Sequence, residues 1–538
     1  MAAFWFQIFI KKQTRLAAIS FINKQWFQYL QRGTFVIFFK QLIVKHRNNF
    51  FYWLLIGSIA AGCFFTKSAS GQSQVYRHIL LHGKVLTAAG KPLANIAVTD
   101  GTSIVSTNAK GIYTIPSSNE AMFVYITVPA GYEIPMKNYM AFFYQEIKAV
   151  NGVFKADFIL SKLQQDDTRH STIVWADPQI NNKEEADMLL ATAVPDTREL
   201  AKELSAKGPV QGIAAGDLSW DAPPIIPAYK KAIAETGIPF YQVLGNHDMD
   251  INVRTDEQSD STFKKSMGPT WYSFNRGRAH YVVLDNIFYY SDGYNYMGYI
   301  TEKQFRWLEQ DLQRIRPGSL VFVSMHISAY TEEKKRQHAK EDNPGSITVN
   351  RKYLYALLKP FKAHMLTGHT HYNENFIEAG VYQHIHAAVC GTWWISKLCG
   401  DGTPRGYGVY EINGDSLSWY YKSIGYDKNY QMRLYSRGVY KNKPADVAAN
   451  VWNYDSEWRV VWYEDGILKG DMRRETDFDA AEQAFLTGPE RPAKYPWAQP
   501  LLTDHLFFAT PSATAKNIRI VVTDRFGRQY NQEMVLKN

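Results

Sequence analysis

Side chains that bind metals recur in this sequence directly after short apolar runs. Carboxylates, imidazoles and one amide follow five such runs: Asp177 (STIVWAD), Asp217 (AAGD), Asn246 and His247 (GNHD), His326 (SMH), and His369 and His371 (GHTH). These are ligand types that borderline divalent metals accept, and the two oxygens of one Asp can bridge two ions. The residues therefore predict a metal site, of the kind that activates water and stabilises a charged substrate.

Such side chains need a scaffold that brings distant positions together. From about residue 170 to about residue 403, apolar runs of strand length alternate with amphipathic segments of helical period. This alternation indicates an α/β sheet structure covered by helices. Ligands of open α/β sheets collect at the carboxyl ends of the strands, so the candidate residues can converge. Glycines precede Asp217, Asn246 and His369, where they would allow tight turns.

Taken in order, these motifs resemble those of the calcineurin-like metallophosphoesterase family. The family pattern is D-x-H, G-D, G-N-H-[D/E], a lone His after a strand, and G-H-x-H. Every element is present in order except the His of the first motif, where this chain has Gln179 in ADPQI. The resemblance covers roughly residues 170–400 and includes the segments GPTWYSFNRGRAHYVVLD and GTWW…DGTPRGY.

The resemblance implies a centre of two divalent ions, Mn, Fe or Zn, bridged by Asp217. The first ion would have three further ligands: Asp177, Gln179 and His371. The second ion would have three others: Asn246, His326 and His369. Because Gln179 offers a neutral carbonyl oxygen in place of an imidazole nitrogen, we expect the first ion to be bound more weakly there, or through water.

The resemblance also implies a reaction. Two cations ~3.5–4 Å apart can hold a bridging hydroxide that attacks the phosphorus atom. His247 would face the substrate and either protonate the leaving oxygen or stabilise the phosphoryl charge. Asp221, in GDLSWD, could orient His247, although its offset differs from the commonest family pattern. The predicted function is an exported hydrolase of phosphate mono- or diesters, acting on a small-molecule ester or a phosphorylated macromolecule. The alternative is a binding protein for a glycan or protein ligand that has lost catalysis, suggested by Gln179 and the β-rich flanks.

Several other His and aromatic residues have structural interpretations. A single strand-end His such as His326 is commonly structural, and only the joint occurrence of the motifs in order favours a ligand. Four His residues lie in apolar strands and are interpreted as core or as support for the ligands: His280, His364, His384 and His386. Four aromatic residues flank the motifs, and either the pocket wall or the packed core suits them: Trp220, Tyr372, Trp393 and Trp394.

The predicted fold class is an α/β metallophosphoesterase core flanked by an N-terminal β-sandwich and a C-terminal β-rich domain. The N-terminal region resembles carboxypeptidase-regulatory-like modules. Four regions are predicted: residues 1–71 as an N-terminal extension and signal peptide, 76–162 as the β-sandwich, 170–403 as the core, and 404–538 as the C-terminal domain.

The charge distribution separates a basic N-terminus from a nearly neutral remainder. The 538-residue chain has a formal net charge of +9, and its first 47 residues contain eight Lys or Arg and no acid. We therefore expect no nucleic-acid footprint. Lys45 and Arg47 precede an apolar run and then small residues up to Gly71, which is typical of a secretory signal peptide. We expect an exported, periplasmic or cell-envelope protein.

Three points stay open in the sequence. The apolar run could instead be an uncleaved anchor that tethers the chain to a membrane, or Cys63 could carry a lipid. Cys390 and Cys399 could form a disulfide in an oxidising compartment, and two buried free thiols are the other interpretation.

Overall fold

The computed structural model of the protein describes residues 78–290 and 293–536. The predicted signal peptide and extension (residues 1–71) lie outside the described residues. None of the described helices is both long enough and apolar enough to span a membrane.

The N-terminal region consists of ten strands, eight of them in two four-stranded sheets, while β6 and β7 join a sheet of the core. One sheet contains β1, β4, β9 and β10, and the other has the order β3-β2-β5-β8. The strands are β1 (His78–Thr87), β2 (Ala97–Thr99), β3 (Ile104–Ser106), β4 (Ile112–Ser118), β5 (Phe123–Ile126), β6 (Met136–Lys137), β7 (Met140–Ala141), β8 (Tyr144–Glu146), β9 (Val153–Lys155) and β10 (Phe158–Leu160). In β1, Leu81 and Val85 are buried while Leu80 and Lys84 are exposed, so the alternation in sequence becomes two faces of the sheet.

The central region alternates strands and helices, as its sequence pattern predicts. Its elements are β11 (Arg169–Trp175), α1 (Lys183–Ala191), α2 (Ala193–Ser205), β12 (Val210–Ala214), α3 (Ile226–Thr236), β13 (Phe240–Gln242), α4 (Asp256–Ser259), α5 (Ser261–Met267), β14 (Tyr272–Arg276), β15 (Ala279–Val283), β16 (Ile287–Tyr289), β17 (Tyr296–Gly298), α6 (Glu302–Leu312), β18 (Leu320–Ser324), α7 (Glu333–Arg336), α8 (Arg351–Leu358), β19 (Lys362–Thr367), β20 (Glu374–Glu378) and β21 (Val381–Ile385).

The C-terminal region returns to strands, with one helix between two of them. Its elements are β22 (Gly406–Asn413), β23 (Ser416–Ser423), β24 (Arg433–Tyr435), β25 (Val447–Asn450), β26 (Arg459–Glu464), β27 (Ile467–Asp471), β28 (Arg473–Phe478), α9 (Ala480–Thr487), β29 (Leu502–Ala509), β30 (Asn517–Thr523) and β31 (Gln529–Val535). Strands β24–β31 form two antiparallel sheets, β24-β25-β29-β28 and β27-β26-β30-β31, around a shared apolar core.

Two larger sheets form the core, with the orders β23-β22-β11-β12-β13-β7-β6 and β14-β15-β18-β19-β21-β20. Side chains that alternate along β11 pack on opposite faces of the first sheet. Val174 packs with Phe322 of the second sheet, whereas Trp175 packs with Leu189 and other residues of α1–α3. On the second sheet, Val321 packs against α6 and α8. Helices therefore cover two facing sheets, which confirms the predicted fold class.

Two local features differ from the sequence pattern. Strands β22 and β23 lie in the predicted C-terminal domain (404–538), yet they pair with the core: β22 runs antiparallel to β11, with Gly408 opposite Val174. The long helical segment after Asp177 is divided at Thr192 into α1 and α2. The division follows from Pro195, which lacks an N–H and would clash with the carbonyl group four residues earlier in a continuous helix.

Candidate metal centre

The strand-end residues converge as the sequence predicts. β11 and β12 are parallel neighbours in one sheet, and β18 and β19 are parallel neighbours in the other. Each of these strands is followed within a few residues by one of the candidate ligands. Single ligand atoms of Asp217, His326 and His369 all lie within 4.8 Å of one another. Three separate strand ends therefore meet in one small volume.

Three of the four residues predicted to contact the second ion surround one atom of the fourth, Nε2 of His326. This nitrogen lies 3.1 Å from Asn246 Oδ1, 3.2 Å from Asp217 Oδ1 and 3.2 Å from His369 Nδ1. All four side chains are buried or nearly so. A cluster of two imidazoles, a carboxylate and an amide oxygen at this spacing is a donor set for a borderline divalent ion.

The residues predicted for the first ion lie beside this cluster. His371 Nε2 is 3.5 Å from Asp177 Oδ1, and the same Asp177 oxygen is 4.0 Å from His326 Nε2. The backbone N–H of His369 donates to Asp177 Oδ2 over 2.9 Å, so the GHTH loop holds the carboxylate in place. Both halves of the predicted centre are thus adjacent, and the ligand role of each residue stays a prediction.

Gln179 supports the carboxylate that the resemblance assigns as the bridge. Its Nε2 donates to Asp217 Oδ2 over 2.8 Å, and its backbone N–H donates to the Asp217 carbonyl oxygen over 2.9 Å. Gln179 Oε1 lies 3.9 Å from Cys390 Sγ. The amide is therefore a buried hydrogen-bond donor to Asp217, a role that the sequence analysis did not assign to it.

Two glycines let the site close around its ligands. A Cβ on Gly216 would lie 2.4 Å from the His326 ring, and one on Gly368 would lie 2.4 Å from Asp177 Oδ2. Gly216 also has a φ of +91°, as a tight turn requires, whereas Gly368 is needed for space alone.

Most of the predicted ligands sit in backbone conformations that L-residues seldom adopt. Positive φ values of 38–75° occur at five of them: Asp177, Gln179, Asp217, His369 and His371. Such strain persists where the surrounding structure over-determines it, and it clusters at functional sites.

The charges of the cluster stabilise a positive charge at its centre. Burial opposes ionisation, yet His326 and His247 hold the pKa of Asp217 well below its usual range. Burial would likewise lower the pKa of His326, but Asp217 prevails and raises it to about 9. Burial and the adjacent His326 lower the pKa of His369 to about 4. A buried carboxylate that holds a proton on a neighbouring imidazole is also suited to a divalent cation, so the residues fit the implied metals.

His247 lies at the edge of this cluster and is positioned from two sides. Its backbone N–H donates to Asp217 Oδ1 over 2.9 Å, and its Nδ1 lies 3.0 and 3.1 Å from the two oxygens of Asp221. The Asp221 N–H in turn donates to the His247 carbonyl oxygen. Burial acts to lower the pKa of His247, but Asp217 and Asp221 outweigh it and the pKa is raised. The predicted pair is therefore in contact.

Asp248 also supports the site, a role that was not predicted from the sequence. Its carboxylate accepts from the N–H groups of Leu218 (3.0 Å), Ser219 (2.9 Å) and Gly245 (3.1 Å), and so joins the loop after β12 to the loop after β13. Burial and the neighbouring Asp217 raise its pKa to about 7. In the sequence, its position as the last residue of the GNHD motif was the signal that could have identified Asp248.

The aromatic residues near the motifs divide into two groups. Trp394 and Tyr372 are buried core residues, and Trp220 and Trp393 reach the site. Trp220 lies 5.8 Å from the His247 ring and Trp393 lies 4.9 Å from the His371 ring, between ring centroids. Tyr495 and Trp497, which contact Trp220, come from far along the chain and carry no motif.

The four His residues that were interpreted as core or support have partners that explain them structurally. His280 Nε2 lies 2.8 Å from Asp311 Oδ2, His364 Nδ1 lies 3.0 Å from His384 Nε2, and His386 Nε2 lies 2.8 Å from the Tyr410 hydroxyl. They belong to the core, as interpreted from the sequence. Cys390 and Cys399 are buried free thiols.

Three family models match the chain in sequence order. Residues 80–163 match the N-terminal domain of calcineurin-like phosphoesterases, residues 192–373 match the calcineurin-like phosphoesterase domain, and residues 383–530 match the C-terminal domain of the same proteins. No curated protein sequence matches the chain.

Solved structures of phosphatases are similar to parts of the chain at low identity. A dimetal phosphatase from Danio rerio is 14% identical, with 47% of this chain and 97% of that chain covered and a TM-score of 0.33. The purple acid phosphatase PPD1 from yellow lupin is 14% identical, with 47% and 51% covered and a TM-score of 0.33. PhoD is 10% identical, with 82% and 85% covered and a TM-score of 0.33. Because the identities and TM-scores are low, the family of this chain is taken from the three family models and not from these structures.

Proposed function

The chain belongs to the calcineurin-like phosphoesterase family and is a metal-dependent hydrolase of phosphate esters, and we propose how its own residues carry out that reaction. The single observation that carries the proposal is the set of donors around His326 Nε2, where Asp217, Asn246 and His369 lie within 3.2 Å. Burying so many polar side chains at one point costs free energy, which favours a functional role for the cluster over a purely structural one.

Two divalent ions fit this arrangement. Asn246, His326 and His369 would hold one ion, Asp177 and His371 the other, and Asp217 would contact both. When bound, the ions supply a nucleophile at neutral pH and neutralise charge on the phosphoryl oxygens. Gln179 keeps Asp217 in place through the bond from its Nε2, which supports a working centre over the alternative of a scaffold that has lost catalysis.

His247 is proposed as the group that handles the leaving oxygen. Its Nδ1 is occupied by Asp221, so Nε2 is the nitrogen left to face a substrate. Asp217 and Asp221 raise the pKa of His247 against the effect of burial, which favours the protonated form that a general acid needs. Asp221 orients the ring and supplies the compensating charge.

The test is a comparison of three variants loaded with Mn²⁺, Fe²⁺ or Zn²⁺. We expect His247→Ala to lower kcat for a phosphate ester by about 10²–10⁴-fold, as loss of a general acid does, with metal content unchanged. Asp217→Asn should lower both activity and bound metal. His338→Ala, at an exposed His, should change neither. Full activity in His247→Ala would contradict the assignment of the proton donor.

Export is the second part of the proposal. The basic residues, apolar run and small residues that end near Gly71 support a cleaved signal peptide. The N-terminal sequence of the protein recovered from the periplasm would test this, and a mature chain that keeps residues 50–65 would contradict cleavage.

A further inference from the structure

Four aromatic side chains form a surface directly beside the metal centre. This aromatic cluster consists of Trp220, Trp393, Tyr495 and Trp497. Trp220 is 4.8 Å from Tyr495 and 5.6 Å from Trp497, and Trp393 is 4.3 Å from Trp497, between ring centroids. Through Trp220 and Trp393 the cluster also contacts the rings of His247 and His371. It is therefore continuous with the proposed site of hydrolysis.

The cluster is only partly a packing unit. Trp497 is 50% exposed, although Trp is normally well buried. Its ring is nearly perpendicular to both neighbours, at 88° to Trp220 and 74° to Trp393. This arrangement presents ring faces and ring edges side by side, the two contacts that another planar ring prefers.

The segment that carries Tyr495 and Trp497 is held in place by a buried carboxylate. Glu185 of α1 is fully buried and accepts from the Tyr495 hydroxyl and from Lys494 Nζ, both over 2.5 Å. Tyr495 adopts a φ of +54°, and Pro496 restricts the backbone between the two rings. A buried carboxylate and a strained residue thus fix the rings before any ligand arrives, which lowers the entropic cost of binding.

The same segment presents few free charges. Lys494 is paired with Glu185, and the guanidinium of Arg491 donates to the carbonyl oxygens of Leu486 and Tyr495. Both cations of the segment are therefore engaged within the chain. What it presents toward the metal centre is aromatic surface, which suits an uncharged ring more than a second phosphate or an acidic peptide.

Resting on the proposed function, we propose that the aromatic cluster binds a planar aromatic ring in the organic part of the phosphate ester. The substrates would be phosphate esters that carry such a ring near the phosphate. A nucleobase and a phenolic ring share this chemistry, and the experiment below separates them.

Binding of non-hydrolysed phosphonates tests the inference without requiring turnover. Phenylphosphonate and cyclohexylphosphonate carry the same anion and rings of similar size, and only one ring is aromatic. We expect the metal-loaded protein to bind phenylphosphonate about five- to tenfold more tightly, as expected for one or two aromatic contacts. Calorimetry would give both dissociation constants. A parallel comparison of adenosine monophosphate with ribose 5-phosphate would show whether a nucleobase is accepted as the ring.

Variants locate the effect. Trp497→Ala should abolish the preference for the aromatic ring, Trp497→Phe should restore most of it, and Tyr426→Ala, at an exposed ring outside the cluster, should leave it unchanged. Equal affinities for the two phosphonates, or a preference that survives Trp497→Ala, would overturn the inference. If the same protein still hydrolysed phosphate esters, the proposed function would be unaffected. A metal-loaded protein that neither hydrolysed esters nor bound any phosphonate would overturn both.

Discussion

Replacing Asp221 by Asn isolates the charge that supports His247. The two side chains are 3.0 Å apart and only 20–24% exposed, and an Asn oxygen can still accept from Nδ1. A hydrogen bond with a charged partner contributes about 1.5–3 kcal/mol and a neutral one about 1 kcal/mol. The difference is about 0.5–2 kcal/mol, and because the pair is partly exposed we take about 1 kcal/mol, a value from the lower half of this range, for loss of the charge. This corresponds to a decrease of roughly fivefold in kcat.

A double-mutant cycle tests the reasoning. In the His247→Ala background, Asp221→Asn should change kcat by less than about twofold, because the group it supports is absent. Metal content and thermal midpoint are measured alongside, with Asp415→Asn as a matched exposed control. An equal loss of kcat in both backgrounds would show that Asp221 acts through some other contact, and no loss in the wild-type background would refute the interaction altogether.

Three further outcomes are expected. Gly216→Ala should weaken metal binding at least about tenfold in a metal titration, because its Cβ would meet the His326 ring. The control Gly414→Ala has a positive φ and open space around it, so it should cost only about 1 kcal/mol of stability. Similar metal affinities in the two variants would contradict this prediction. Burial lowers the pKa of His170 in the folded protein to about 4, so the unfolded chain binds this proton more tightly. The free energy of unfolding should therefore fall by up to about 3 kcal/mol as the pH drops from 6.5 to 4. His170→Gln should reduce this pH dependence in denaturant titrations, and an unchanged slope would contradict the prediction. Chelation should lower the thermal midpoint, and cation at a hundred times its Kd should restore about 2.7 kcal/mol; a midpoint insensitive to both would exclude folded-state metal binding.

The metal centre could be predicted from the sequence because each ligand is recognised from the residues next to it. Each ligand follows an apolar strand and several follow a glycine, so residue type and context coincide at Asp217, His326 and His369. The sheet then brings the strand ends together, a consequence of parallel topology that needs no knowledge of individual contacts. The contact between His247 and Asp221 was expected although the offset of Asp221 departs from the commonest family pattern, and a separation of 26 residues does not by itself indicate a contact.

Features that depend on distant pairing were not predictable. Tyr495 and Trp497 lie beside the site in a segment that Glu185 holds, and no periodicity relates positions 310 residues apart. The hydrogen bond from Gln179 to Asp217 depends on how the side-chain amide is turned, which sequence does not encode. The pairing of β22 with β11 was missed for the same reason, since a hairpin pattern does not specify its neighbour.

The sheet β23-β22-β11-β12-β13-β7-β6 limits where the chain can be shortened. It takes β6 and β7 from before the catalytic stretch and β22 and β23 from after it. A fragment limited to 170–403 would expose unpaired strand edges on both sides, and such edges recruit other polypeptides into aggregates. Truncation, fusion and recombination with relatives should therefore treat residues from β1 to at least β23 as an indivisible unit.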